Sequence, residues 1–365
     1  MGELAEFIRV PAEAIDGCDV AALNLRCAQG LPGAEELDEG RIFDWLDRAA
    51  RMVHFETCRH WYRFTDSPGA YNNSAAYFCC YFLLQTLQEE LGVRYNPARI
   101  RDSKFQDPKC FDPDFRDSRD LFLHGMVGGP GGTCASMPIM YVAVGRRLGY
   151  PLKLVQTRGH LFARWDDPEG KCFGFPETFN VEGAGEGIAS YDDEHYKTWP
   201  EPWTNIDETE GWYLKSMTPR EELASFLAMR GDCLTDNGRL AEAVQAYEWA
   251  SALAPGDKRY LQILARTHHK YLFQHEHEMT ALMQMNQRNR ERQDRMLVGA
   301  SARGSLFATA SPRTQTADSQ AQKVPFHEAM ARYSRELMQW NRLNQMGQAR
   351  GTPPSAPRPG MDCEH

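Results

Sequence analysis

At 365 residues, with 42% hydrophobic and 11% aromatic side chains, the chain is too long for one compact core and implies two domains plus extensions. Its net charge of −9 is unevenly spread: residues 1–257 hold 25 Lys and Arg against 41 Asp and Glu, residues 258–365 hold 16 against 9. The acidic body argues against a nucleic-acid-binding domain, and the basic remainder reads as a solvated helix face. No stretch approaches the roughly 18 apolar residues of a membrane helix, and MGELAEFIRV lacks the basic-then-apolar order of a secretory signal. Glu6 departs from a myristoylation motif.

Residues 1–40 form an N-terminal segment. Residues 41–56 and 74–92 read as helices, the second stopped by Gly92, and 95–120 as a loop with Asn96-Pro97 and Asp112-Pro113 turns. GGPGGT precedes a helical run from Cys134 to Leu148, closed by Gly149 and Pro151. Then the period changes to that of strands: 152–157 and 160–165 form a hairpin about Arg158-Gly159, and 178–182 (TFNVE) gives a third strand. Asp192 and its acidic neighbours mark a turn and helix start. Trp199, Trp203 and Trp212 read as covers for the sheet edge or the following helices.

The C-terminal part has another signature. Counting Ala224 as the first position, Gly231, Ala243, Tyr247, Ala250 and Pro255 fall at positions 8, 20, 24, 27 and 32. Those are the small, small, aromatic, small and Pro slots of a tetratricopeptide repeat of about 34 residues. One such repeat cannot bury its own face and must pack on a neighbour. A long helix follows from about Lys258 to Leu297. Residues 298–325 read as a flexible linker, 326–347 as a further helix and 348–365 as a disordered tail.

The ten cysteines include no CxxC pair, and with no secretory signal they read as reduced thiols of a cytoplasmic protein. Cys134 stands apart, because it follows four glycines in five residues at the start of a helix. A helix start favours thiolate, and the glycines admit other backbone closely. His160 opens the second strand 26 residues later. Four helical turns, a tight turn and one strand carry the chain back to the helix start, so His160 can serve as base. A third group must hold the imidazole. Glu182 and Asn180 share a strand face; the carboxylate would also stabilise an imidazolium, the amide would only orient the ring. Glu177 is a weaker third candidate.

The run GGTCASMPIMYVAVGRRLGYPLKLVQTRGHLFARW resembles the core of the transglutaminase-like superfamily, and more closely the bacterial branch in which tetratricopeptide helices follow that core. The resemblance covers about residues 40–215, most sharply 130–182, with the repeat at 224–257. It implies an α+β, papain-like core at 41–215, with the nucleophile's helix packed on an antiparallel sheet, and a tetratricopeptide-type region at 216–297. It carries the nucleophile to Cys134, the histidine to His160 and the acid to Glu182, where the family usually has Asp. Ala135 stands where crosslinking transglutaminases have Trp. The expected activity is thiol-dependent hydrolysis of an amide in a protein or peptide, in preference to crosslinking. The alternative is a non-catalytic interaction module built on the C-terminal helices. No cofactor or metal is expected: GGPGGT lacks the Gly-Lys-Ser/Thr of a phosphate loop, and His268, His269, His275 and His277 include no i, i+4 pair. Nucleic acid and membrane are not expected partners, and the oligomeric state stays open.

Overall fold

Apolar residues at 152, 154, 161, 163 and 165 give the hairpin its inward face, and the computed structural model pairs the strands accordingly. Strand β1 (Leu152–Thr157) runs antiparallel to β2 (His160–Asp167), in register from Leu152↔Trp165 to Thr157↔His160. Gly159 supplies the positive φ, 72°, that closes the two-residue turn. Strand β3 (Glu177–Val181) joins the far edge of β2 antiparallel, with Asn180 opposite Arg164 and Val181 opposite Ala163. The structure describes residues 12–100 and 114–301.

One face of this sheet, carrying Leu154, Ala163, Trp165 and Val181, belongs to the main core. The helix Met137–Arg147, buried from Met137 through Gly145, packs there against β1 and β2. The other face carries a smaller cluster of Val155, Phe162 and Tyr196, bordered by Trp199 and Leu214. Helices packed around a small antiparallel sheet make the class α+β. Among the described residues no helix is long and apolar enough to cross a membrane, and the eight described cysteines are unpaired.

The other helices keep their expected places with shifted ends. Asp38 caps the helix Glu39–Arg59 by accepting from Arg41 N at 3.0 Å. Ser74 caps Ala75–Gln85 through Tyr77 N at 2.9 Å. That helix widens into one π-turn, Thr86–Glu90, before Gly92. The N-terminal segment is part of the core, because helix Val20–Ala28 buries Val20, Leu23, Leu25 and Cys27. It lies against both the Met137–Arg147 helix and the helix Pro219–Asp236.

Pro219–Asp236 and Leu240–Leu253 form a closely packed helical pair. Thr218 and Glu221 cap its first helix reciprocally, and Pro219 fits the first turn, where no N–H is needed. Two arginines join the pair to the body. Arg146 meets the fully buried Glu222 at 2.6 Å, and Arg230 donates to the carbonyls of Cys27 and Gln29 at 2.8 and 2.7 Å.

The chain through His268 is one compact unit, and a second begins at His269. The helix Lys258–Ser301 belongs to both. Its first turns bury Tyr260 and Leu264; beyond His269 it exposes Phe273, Met279, Met283 and Met285. The helix runs past Leu297 into the start of the expected linker. The rest of that linker, the expected helix at 326–347 and the tail at 348–365 lie outside the described residues.

Candidate active site

The Gly-rich approach holds Cys134 by backbone contact on both sides. Gly132 N donates to Arg94 O at 2.9 Å, and Asn96 N donates to Gly132 O at 2.8 Å, a parallel bridge that sets Tyr95 beside Gly132. Gly131 is required for that approach: at φ 127° its missing Cβ would lie 2.8 Å from Arg94 O. Thr133, fully buried, then starts the turn. Its Oγ1 accepts from Ala135 N at 3.1 Å and donates to Asp120 O at 2.6 Å, and its carbonyl accepts from Ser136 N and Met137 N.

Cys134 therefore sits within a turn that leads into the helix, and the regular helix starts three residues later, at Met137. The cause is Pro138, which has no N–H to donate to the Cys134 carbonyl. The thiol is half-buried.

His160 and Glu182 form a buried pair, Nε2 to Oε2 at 2.6 Å. With Nε2 so engaged, Nδ1 is the ring nitrogen left for the Cys134 thiol, which lies close enough to raise the ring's pKa. Burial alone would push the His160 pKa down. The Glu182 charge, with hydrogen bonds to Cys134 and Glu182, outweighs it and raises the pKa to about 10. Burial would likewise raise Glu182, but the His160 charge and its hydrogen bond hold it below the usual carboxylate value. The carboxylate is fully engaged: Oε1 accepts from Gly183 N and Ala184 N at 3.1 and 3.0 Å, and Oε2 from the Tyr196 hydroxyl at 3.1 Å. A thiol, an imidazole and an anchored carboxylate in series can hold a thiolate–imidazolium pair and pass one proton to a leaving group.

Asn180 is turned to other work. Its Oδ1 accepts from Arg164 Nε at 2.7 Å, and its Nδ2 donates to Tyr191 O and Asp193 Oδ1 at 2.9 and 2.8 Å. Arg164 also reaches Asp193 at 2.5 Å and Leu214 O at 3.0 Å. Asn180 thus locks β3 to the segment before the helix Asp193–Thr198, while Glu182 alone of the two meets His160. Glu177 pairs with Asp167 at the far end of the sheet.

Three aromatic residues around the site were not singled out from the sequence as site residues. Tyr196 reaches Glu182 and stacks on Phe162 at 3.9 Å between centroids. Trp199 covers the sheet as expected and also meets the His160 ring edge-on at 4.8 Å. Tyr95 lies beside Cys134. Their sequence signal is only an aromatic in a loop or short helix, with no spacing to tie it to a distant strand. Among the described residues no cluster of His, Cys, Asp and Glu could hold a metal ion. No protein-family model, curated protein or solved structure matches the chain.

Proposed function

We propose that this protein is a transglutaminase-like thiol enzyme with a papain-like core that opens an amide bond of a protein or peptide. Cys134 is the nucleophile, His160 its base and then its acid, and Glu182 the group that holds the imidazolium. The thiolate adds to the carbonyl carbon and the carbonyl electrons move to oxygen. On collapse the C–N bond breaks, and His160 gives its proton to the departing amine. Water, deprotonated by His160, then hydrolyses the thioester. Hydrolysis is preferred over transfer to a second amine because Ala135 stands where crosslinking enzymes carry Trp. The single observation that carries this reading is the 2.6 Å buried link between His160 and Glu182, with Cys134 near enough to raise the ring's pKa. The helical pair at 219–253, in the register of a tetratricopeptide repeat, would then present a substrate or partner.

The test is competitive alkylation of the native protein with limiting iodoacetamide, read by peptide mass spectrometry. Cys134 should react at least tenfold faster than every other thiol, and Cys134→Ala should abolish labelling by an activity-based electrophile while keeping the thermal midpoint. If Cys134 labels no faster than exposed Cys58 or Cys172, the second reading takes over. It is a non-catalytic binding protein, favoured by the exposed Phe273, Met279, Met283 and Met285.

A further inference from the structure

Acyl transfer by a thiolate places negative charge on the former carbonyl oxygen, and a hydrolase of this kind needs donors aimed at that position. On the thiol reading above, on which this inference rests, the Cys134 N–H supplies one donor. The immediate neighbours supply no other: Ala135 has no polar side chain, and Ser136 Oγ is committed to Asp120 O at 3.2 Å and Thr133 N at 3.0 Å.

Tyr95 comes from a segment remote in sequence but laced to the nucleophile's turn. The Tyr95–Gly132 bridge is backed by Asn96 Nδ2 donating to Asp120 Oδ1 at 3.0 Å. Asp120 in turn accepts through its carbonyl from Thr133 and Ser136, and its carboxylate forms an ion pair with Arg99 at 2.6 Å. The phenol is 5% exposed and within interaction range of both the thiol and the backbone amide of Cys134. A donor for the oxyanion must occupy that neighbourhood, because the new oxygen sits one bond from the carbon that Sγ attacks.

We propose that the Tyr95 hydroxyl is the second donor of the oxyanion hole, paired with the Cys134 N–H. Burial first, and the neighbouring thiol second, push its phenol well above the ordinary value of 10, so the proton stays in place at working pH. Once the tetrahedral adduct forms, the hydroxyl donates to the new oxygen.

Two probes separate this role from simple thiol activation. Alkylation by iodoacetamide displaces iodide at an sp³ carbon and makes no oxyanion. Acylation by p-nitrophenyl acetate forms the S–C bond, passes through an oxyanion and expels p-nitrophenolate. Limiting rates are taken at the alkaline plateau of each pH profile, so that a shifted thiol pKa does not enter. Tyr95→Phe keeps the ring and should lower the Cys134-dependent acylation rate on the order of 10²-fold, with its alkylation rate within threefold of wild type. Retained alkylation also reports an intact site. Equal acylation rates in Tyr95→Phe and wild type, or a matching fall in both reactions, overturn the oxyanion role while leaving the thiol reading standing. A wild-type protein that shows neither reaction at Cys134 removes both.

Discussion

His160 Nε2 lies 2.6 Å from Glu182 Oε2, and each residue is less than a tenth exposed. Neither charge would survive that burial alone, and together each holds the other ionised. Two backbone N–H groups and the Tyr196 hydroxyl complete the carboxylate's partners, so the pair presents a fixed imidazolium edge to Cys134.

Glu182→Gln keeps the shape and removes the charge. The His160 pKa should fall from its raised position toward or below the ordinary 6.5, because burial then acts without the Glu182 charge against it. Thiol alkylation at Cys134 near neutral pH should drop about tenfold or more. NMR titration of the His160 ring measures the first effect directly. Asn180→Ala should behave differently: it leaves Arg164 and Asp193 short of a partner and costs about 1–3 kcal/mol of stability, with Cys134 reactivity within about twofold. A crippled thiol in Asn180→Ala beside a nearly silent Glu182→Gln would reverse the assignment.

The same pair fixes a pH window for stability. A histidine whose folded pKa lies above its unfolded one contributes fully below the unfolded value, and that contribution is lost as pH rises through the folded value. For His160 the loss runs from about 6.5 to about 10. Glu182 is lowered, so its contribution is full above the ordinary 4.5 and is lost as pH falls through the folded value. The stability gap between wild type and His160→Gln, measured by urea unfolding, should be widest between pH 4.5 and 6.5 and narrow on both sides. A gap that widens steadily from pH 6.5 to 10 would contradict the raised histidine.

What could be read from sequence was what period and spacing encode. The hairpin is legible because apolar alternation in β1 and β2 and the Arg158-Gly159 turn specify one register, and that register brings His160 to the strand start. The sequence points to a helix start three residues too early because a Gly-rich approach looks like a helix entry, whereas Pro138 withholds the one N–H that would make Cys134 helical. Tyr95 was not legible, since it enters the site through a single parallel bridge across 37 residues. The part played by Val20–Ala28 was likewise hidden: its apolar face fits helices more than 100 residues away, and no local pattern announces that. Asn180 and Glu182 share a face by alternation, but only the placement of Arg164 and Asp193 separates their roles.

The helical pair makes its own prediction. A Cβ added to Gly231 would meet Cζ, Cε1 and Cε2 of Tyr247 at 2.5, 2.6 and 2.8 Å. The ring cannot swing clear easily, because it is 1% exposed and its hydroxyl donates to Asp232 Oδ1 at 2.7 Å. In an exposed helix Gly→Ala would gain roughly 0.5–1 kcal/mol; here overpacking opposes it by about 1–3 kcal/mol. Gly231→Ala should therefore destabilise by about 1–2 kcal/mol, a fall of roughly 2–8 °C in thermal midpoint for a unit of this size. Shrinking the partner should change the sign. In a Tyr247→Leu background the added methyl finds room, the helix gain remains, and Gly231→Ala should become neutral or stabilising. Calorimetry of the four proteins gives the coupling energy. A Gly231→Ala cost that is the same with Tyr247 and with Leu at that position would mean that the two helices do not meet at this glycine.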